Sequence, residues 1–263
     1  MLNEPTITKL RTLRLEAFAT AWSEQHKSAE TVKLSFDERL AMLVDAECLA
    51  RENKRLTRLL KDAKLRLIEA CIEDIEYAPR REIDKKIIRQ LASCRWVHEH
   101  QNVIVTGATG VGKTFIACAL AQQACRKGYS VIYRRAPRLF DELALARADG
   151  SYVRLLTKLS KVDVLVIDDW GLKPAQDVER SDFLEILEDR YGDRSTIMSS
   201  QLPVTAWHEH LGEPTLADAI VDRMVHNAHR LVLKGPSRRK QIKERQTETN
   251  PSTNDHSPSL RSD

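Results

Sequence analysis

Through the first 76 residues apolar side chains recur at helical spacing. Ile7, Leu10, Ala17, Phe18, Ala21 and Trp22 form one stripe. Ser35 followed by Glu38 has the spacing of a capping box and opens a second helix through Leu40, Leu43 and Val44. Carried on at the 100° per residue of an α-helix, Leu56, Leu59, Leu60, Ala63, Leu67 and Ala70 fall in one arc, and Arg51, Lys54, Arg58 and Lys61 fall opposite. No glycine precedes Gly107 and no proline lies between Pro5 and Pro79. Strands need turn residues at short intervals, so this part is predicted to hold two to four helices and no β-sandwich. Tyr77-Ala-Pro-Arg-Arg breaks the pattern, Pro79 marks a domain border, and a short helix is expected from Glu82 to Leu91.

After residue 100 the period switches. Asn102–Thr106, Ser130–Arg134, Val162–Asp168, Ser195–Ser199 and Arg230–Lys234 are short β-branched runs separated by helical stretches of ten residues or more. Near-continuous apolar strands alternating with helices predict a parallel sheet covered on both faces, an α/β domain of five strands.

Composition narrows the function. The chain has 263 residues, 42% hydrophobic and 30% charged, with 42 Lys+Arg against 38 Asp+Glu. That describes one large or two modest domains with a true core. No apolar run approaches the roughly 18 residues a membrane span needs, and the N-terminus has no apolar secretory core, so a cytoplasmic protein is expected. Five cysteines, at 48, 71, 94, 118 and 125, show no metal-binding or disulfide spacing. The predicted division is a helical domain over 1–76, an α/β domain over 77–243 and a disordered polar tail over 244–263.

Gly107-Ala108-Thr109-Gly110-Val111-Gly112-Lys113-Thr114 follows the first strand and opens a helix expected over Phe115–Arg126. This is G-x-x-x-x-G-K-[ST]: the glycines let successive N–H groups turn inward around phosphates, Lys113 reaches the β- and γ-phosphates, and the Thr114 hydroxyl is a Mg²⁺ ligand. Val164-Leu-Val-Ile-Asp168-Asp169 ends a buried strand in two carboxylates, the Walker B arrangement. Asp168 is the metal-side acid, and Asp169 either orients the attacking water or caps the turn before Trp170-Gly171. The fourth strand ends in Ser199-Ser200-Gln201, whose polar groups would face the γ-phosphate; Ser200 is the first choice for that role and Gln201 the second.

With these motifs in this order, the chain resembles an AAA+ ATPase of the clade that holds the helicase loader DnaC and the initiator DnaA. The stretches AECLARENKRLTRLLKDAKLR, ACIEDIEY, WVHEHQNVIVTGATGVGKT, VLVIDDWGL, EDRYGDRSTIMSSQLPV, WHEHLG and LADAIVDRMVHNAHRLVLKGPSRRK are similar to the IstB family, the ATP-binding helpers of insertion-sequence transposons. The similarity runs from about Lys9 to Lys240. It implies an ATP-dependent protein that oligomerises on duplex DNA and recruits and stimulates a separate transposase. It also implies an arginine finger in trans at Arg223, for which an internal salt bridge to Asp222 or Asp218 is the alternative. Two departures from the general AAA+ pattern stand out. The usual Asp-Glu pair is Asp168-Asp169, which points to slow basal hydrolysis. Only 29 polar, breaker-rich residues follow from Gly235, so the helical lid is expected to be absent or vestigial, with Arg238 or Arg239 as substitutes for its sensor arginine.

The resemblance also turns basic residues between the second and third strands into a candidate DNA face: Arg134, Arg135, Arg138, Arg147, Arg154 and Lys158. Lys54, Arg55, Arg58 and Lys61 of the N-terminal helices join them. Contacts of this kind are salt-sensitive and largely blind to base sequence. The reading is therefore a transposition helper with ATP and Mg²⁺. The alternatives are a DnaC-type helicase loader, a small-molecule kinase, and a nucleotide-gated binding module without turnover.

Overall fold

A computed structural model describes residues 4–28, 30–77 and 83–237. The chain forms two compact units, Met1–Asp62 and Ala63–Asp263. In the first lie α1 (Glu4–Thr12), α2 (Glu16–Gln25) and α3 (Phe36–Ala63). The capping box at the start of α3 is formed: the Ser35 amide donates to Glu38 at 2.8 Å and the Glu38 amide to the Ser35 hydroxyl at 3.3 Å. Glu47, from the middle of α3, accepts from the amides of Ala17 and Phe18 and so satisfies the first turn of α2, while Arg51 pairs with it at 2.7 Å. Of the apolar residues that open α3, Leu43 is buried and Leu40 and Val44 are exposed. Lys54, Arg55, Arg58 and Lys61 are exposed along the same helix.

The arc extended to Ala70 is corrected here. The helix stops at Ala63, because Lys64 takes a left-handed conformation (φ 51°) that no α-helix continues. Leu67 and Ala70 therefore belong to a separate irregular segment, anchored in the second unit by buried Ala63, Leu65 and Ala70.

The second unit continues with α4 (Lys85–Ala92), capped by the Asp84 carboxylate on the Lys86 amide, and the short α5 (Arg95–His98). Then strands and helices alternate: β1 (Asn102–Gly107), α6 (Lys113–Arg126), β2 (Val131–Arg135), α7 (Ala136–Asp149), α8 (Tyr152–Lys161), β3 (Val164–Trp170), α9 (Asp177–Glu188), β4 (Ser195–Ser200), α10 (Trp207–Leu211), α11 (Pro214–Val225) and β5 (Ala228–Leu233). All pairings are parallel, in the order β2-β3-β4-β1-β5. This is the expected five-stranded α/β sheet with helices against it. Proline 79, the start of the helix expected at Glu82, the tail over 244–263 and Arg238 and Arg239 lie outside the described residues.

The core explains the order. Strands β1, β3 and β4 are buried over nearly their whole length, and Ile104, Leu165, Ile167 and Met198 pack among Leu139, Leu159, Phe183 and Ile220. Each such side chain removed from water contributes about 1.5–3 kcal/mol. Because β4 inserts between β1 and β3, the carboxyl ends of these three strands stand side by side. In an open parallel sheet that edge is where ligands bind.

Candidate functional site

At that edge the first strand runs into Gly107–Gly112, where Gly107, Gly110 and Gly112 all have positive φ. A Cβ at Gly107 would stand 2.3 Å from the Leu233 carbonyl oxygen of β5, so only glycine fits there. Lys113 opens α6, is 6% exposed, and donates from Nζ to the carbonyls of Gly107 and Ala108 at 2.8 and 2.9 Å. Its ammonium thus lies inside the curve of the loop whose amides would receive phosphate. Thr109 donates its hydroxyl to Gln201 at 2.7 Å, linking the loop to the segment after β4.

Asp168 is fully buried at the end of β3. Its oxygens accept from the hydroxyls of Thr114 (3.0 Å), Tyr133 (2.6 Å) and Ser199. The carboxylate is therefore fixed by three strands and the start of α6. Burial, and then the hydrogen bond to Asp168, push the Tyr133 phenol well above its usual range, so it stays a proton donor.

The two adjacent carboxylates would point to opposite faces on a regular strand. Here the β3–β4 register pairs Ile167 with Met198 and Trp170 with Ser200, so Asp168 and Asp169 together face Ser199. That is a β-bulge, and Asp169 sits in it with φ 60°. The bulge turns the second carboxylate to the same side: Arg66 Nη1 lies 3.9 Å from Asp168 and 3.5 Å from Asp169, and Arg135 Nε lies 2.9 Å from Asp169. The Asp169 amide donates to the Ser199 hydroxyl at 3.1 Å.

The bulge also decides the residues at the end of β4. Ser200 is buried, donating to the Trp170 carbonyl and accepting from the Leu202 amide, so its hydroxyl is used within the fold. Ser199 holds Asp168, and Gln201 lines the cleft. Tyr133 and Arg66 are the site residues that motif reading missed, and within Ser199-Ser200-Gln201 it is Ser199, not the first-choice Ser200, that meets the buried acid. The cleft itself is about 530 Å³, with Thr109, Lys113, Thr114, Asp169, Gln201 and Arg66 on its walls and Leu67, Phe115 and Leu172 as its apolar part. That size suits a nucleotide.

Arg223 stands elsewhere. Its carbonyl accepts from the Asn102 side chain at the start of β1, and its guanidinium pairs with Glu188 at 2.8 Å and Asp222 at 3.5 Å. The length of β1 separates it from Lys113, which follows the other end of that strand. The internal ion pair weighed against the finger is thus present with Asp222, and Glu188 is its nearer partner. Of the expected DNA residues in this unit, Arg134 pairs with Glu142, Arg135 with Asp169 and Arg147 with Asp182, which ties them into the fold. Arg138, Arg154 and Lys158 are exposed.

Among the described residues no group of three His, Cys, Asp or Glu side chains could hold a metal ion. The Thr114 hydroxyl and Asp168 carboxylate are two hard oxygen donors 3.0 Å apart. They fit Mg²⁺, which is bound through one or two protein oxygens with substrate phosphates and water completing its shell.

The family model for IstB-like ATP binding proteins matches residues 8–246. An insertion sequence ATP-binding protein of Sinorhizobium fredii, y4pL, is 49% identical over 240 residues, covering 91% of this chain and 98% of its own. Among solved structures, DnaI superposes with a TM-score of 0.55 at 24% identity over 68% of this chain and 94% of that one. A replication initiator DnaA bound to AMPPCP and single-stranded DNA gives 0.53 at 18% identity, over 71% and 57%. Those two likenesses are of fold, and the family rests on the match along most of the sequence and on the phosphate loop facing a buried acid. The chain belongs to the IstB-like ATP binding proteins, on an AAA+ fold.

Proposed function

We propose that this protein is an ATP-hydrolysing transposition helper: ATP binding drives copies of the chain to assemble on duplex DNA in the cytoplasm, and the assembly recruits and stimulates a transposase. The observation that carries the reading is the position of Arg223. It stands at the amino end of β1 and the phosphate loop at its carboxyl end, and a six-residue strand spans about 17 Å. An arginine there cannot reach its own nucleotide, but it can complete the site of a neighbouring copy.

Within one chain the roles divide by chemistry. The loop amides and Lys113 bind the triphosphate, Thr114 and Asp168 hold the metal, and Asp169 orients the attacking water. Mg²⁺ supplies charge neutralisation on the phosphates. Asp169 has the shorter side chain for its task and is tied to Arg135, which supports slow basal turnover. The DNA face is drawn from Arg138, Arg154 and Lys158 in the ATPase unit and from Lys54, Arg55, Arg58 and Lys61 in the helical one. Arg154 and Lys158 share the face of α8 opposite buried Leu156 and Leu159. The insertion-sequence relative supports the transposition reading over a helicase loader, to which the likeness is one of fold. No helix of the described residues is long and apolar enough to cross a membrane.

Mixing two inactive variants tests the shared site. Arg223→Ala keeps nucleotide binding but loses turnover, and Asp169→Asn binds and assembles but does not hydrolyse. In a one-to-one mixture about a quarter of interfaces pair an intact site with an intact arginine, and turnover returns to roughly that share. Full turnover by Arg223→Ala alone, or none in the mixture, overturns the reading.

A further inference from the structure

We infer that Arg66 is a second arginine of the site, a cation that the chain supplies to the terminal phosphate of its own bound ATP. The inference rests on the ATP reading above and assigns a role to a residue outside every phosphate-binding motif. Arg66 precedes β1 by more than thirty residues, yet its guanidinium lines the same cleft as Lys113 and Thr114 and lies within 3.9 Å of both carboxylates.

Neither carboxylate needs Arg66 to stay in place. Asp168 has three hydroxyl donors, and Asp169 has Arg135 at 2.9 Å and the bulge. Both ion pairs of Arg66 use Nη1, which leaves the Nε and Nη2 edge of the planar fork for a further acceptor. The segment that carries it is firmly held: Lys64 turns the chain out of α3, and Ala63, Leu65 and Ala70 are buried on either side. A guanidinium carried on that segment beside the metal-side acid, in the cleft of the phosphate loop, can meet two oxygens of a phosphate bidentately.

During hydrolysis the water oxygen bonds to the terminal phosphorus as the bridging P–O bond breaks, and that electron pair leaves with ADP. One water proton stays on the inorganic phosphate and the other leaves to solvent. Arg66 keeps its protons throughout and offsets the negative charge on the non-bridging oxygens. Because it acts in cis, it serves a single copy, whereas Arg223 serves only an assembly.

The test compares ATP with ADP on the full chain by competition against a fluorescent nucleotide. In Arg66→Gln, ADP affinity stays within about twofold, ATP affinity falls about tenfold and single-turnover hydrolysis falls about a hundredfold. Unchanged ATP affinity and turnover overturn the inference. So does tighter ATP binding, which would make Arg66 a counter-ion of Asp168 alone. If Arg66→Gln loses ADP binding as well, Arg66→Lys decides: a several-fold loss of ATP-over-ADP preference is expected, and the parental preference overturns the role. Lys113→Ala run alongside separates the two ideas, since retained ATP binding there removes the ATP reading itself.

Discussion

Replacing Lys113 by alanine lowers ATP affinity at least a hundredfold and leaves the fold standing. Lys113 is 6% exposed, and its ammonium donates to two loop carbonyls, Gly107 and Ala108. It is therefore already placed where a triphosphate's charge concentrates, with little side-chain freedom left to lose on binding. Hydrogen bonds to charged groups contribute about 1.5–3 kcal/mol each, so two of them on phosphate oxygens account for about 3–6 kcal/mol, a factor of about 10² to 10⁴. Stability changes in the other direction or hardly at all, because the substitution removes a buried charge and Gly107 keeps its close approach to β5. Fluorescent-nucleotide titration with a melting curve as control measures both. An affinity within threefold of the parent contradicts the phosphate role of the loop.

The second large effect falls on stability, at the opposite end of the sheet. Arg190 is 1% exposed and donates to the carbonyls of Leu159 (2.5 Å), Val162 (2.9 Å), Asp163 (3.5 Å) and Ser195, and to the Thr196 hydroxyl (3.1 Å). One guanidinium thus joins the end of α8, the entry to β3 and the start of β4. Burial lowers its pKa to about 9, still well above neutrality, so it works as a cation among oxygen acceptors. Arg190→Met keeps the volume but orphans those acceptors, at about 4 kcal/mol. For a unit of this size that lowers Tm by roughly 10 °C. Nucleotide affinity at low temperature is unchanged, since the phosphate loop lies at the other end of β1. A loss below about 3 °C in differential scanning calorimetry contradicts this reading of Arg190.

Where sequence and structure agree, the signal was local. Each strand starts and ends within two residues of its β-branched run, and the phosphate loop and Asp168 stand where their motifs place them. Where they part, the cause is a contact that no local pattern encodes. The bulge at Asp168-Asp169 shifts β3 by one residue against β4, so that Ser199 meets the carboxylate and Ser200 bonds to the Trp170 carbonyl in the core. Arg66 continues a convincing basic helical face, and only the left-handed turn at Lys64 takes it to Asp169, 103 residues away. Tyr133 reads as one more strand aromatic until β2 is laid beside β3. Arg134, Arg135 and Arg147 read as free basic residues because Glu142, Asp169 and Asp182 meet them only in the folded unit. Glu188 reaches Arg223 for the same reason.

The central claim is that ATP makes this chain assemble on DNA, and sedimentation velocity tests it most directly. The full chain is run alone, with ATP, with a duplex of about 60 base pairs, well inside the roughly 150 base pairs over which DNA stays stiff, and with both. The account predicts a fast-sedimenting complex of many copies only with ATP and duplex together, lost in Lys113→Ala and weakened by added salt. A chain that sediments identically with and without ATP on the duplex contradicts it.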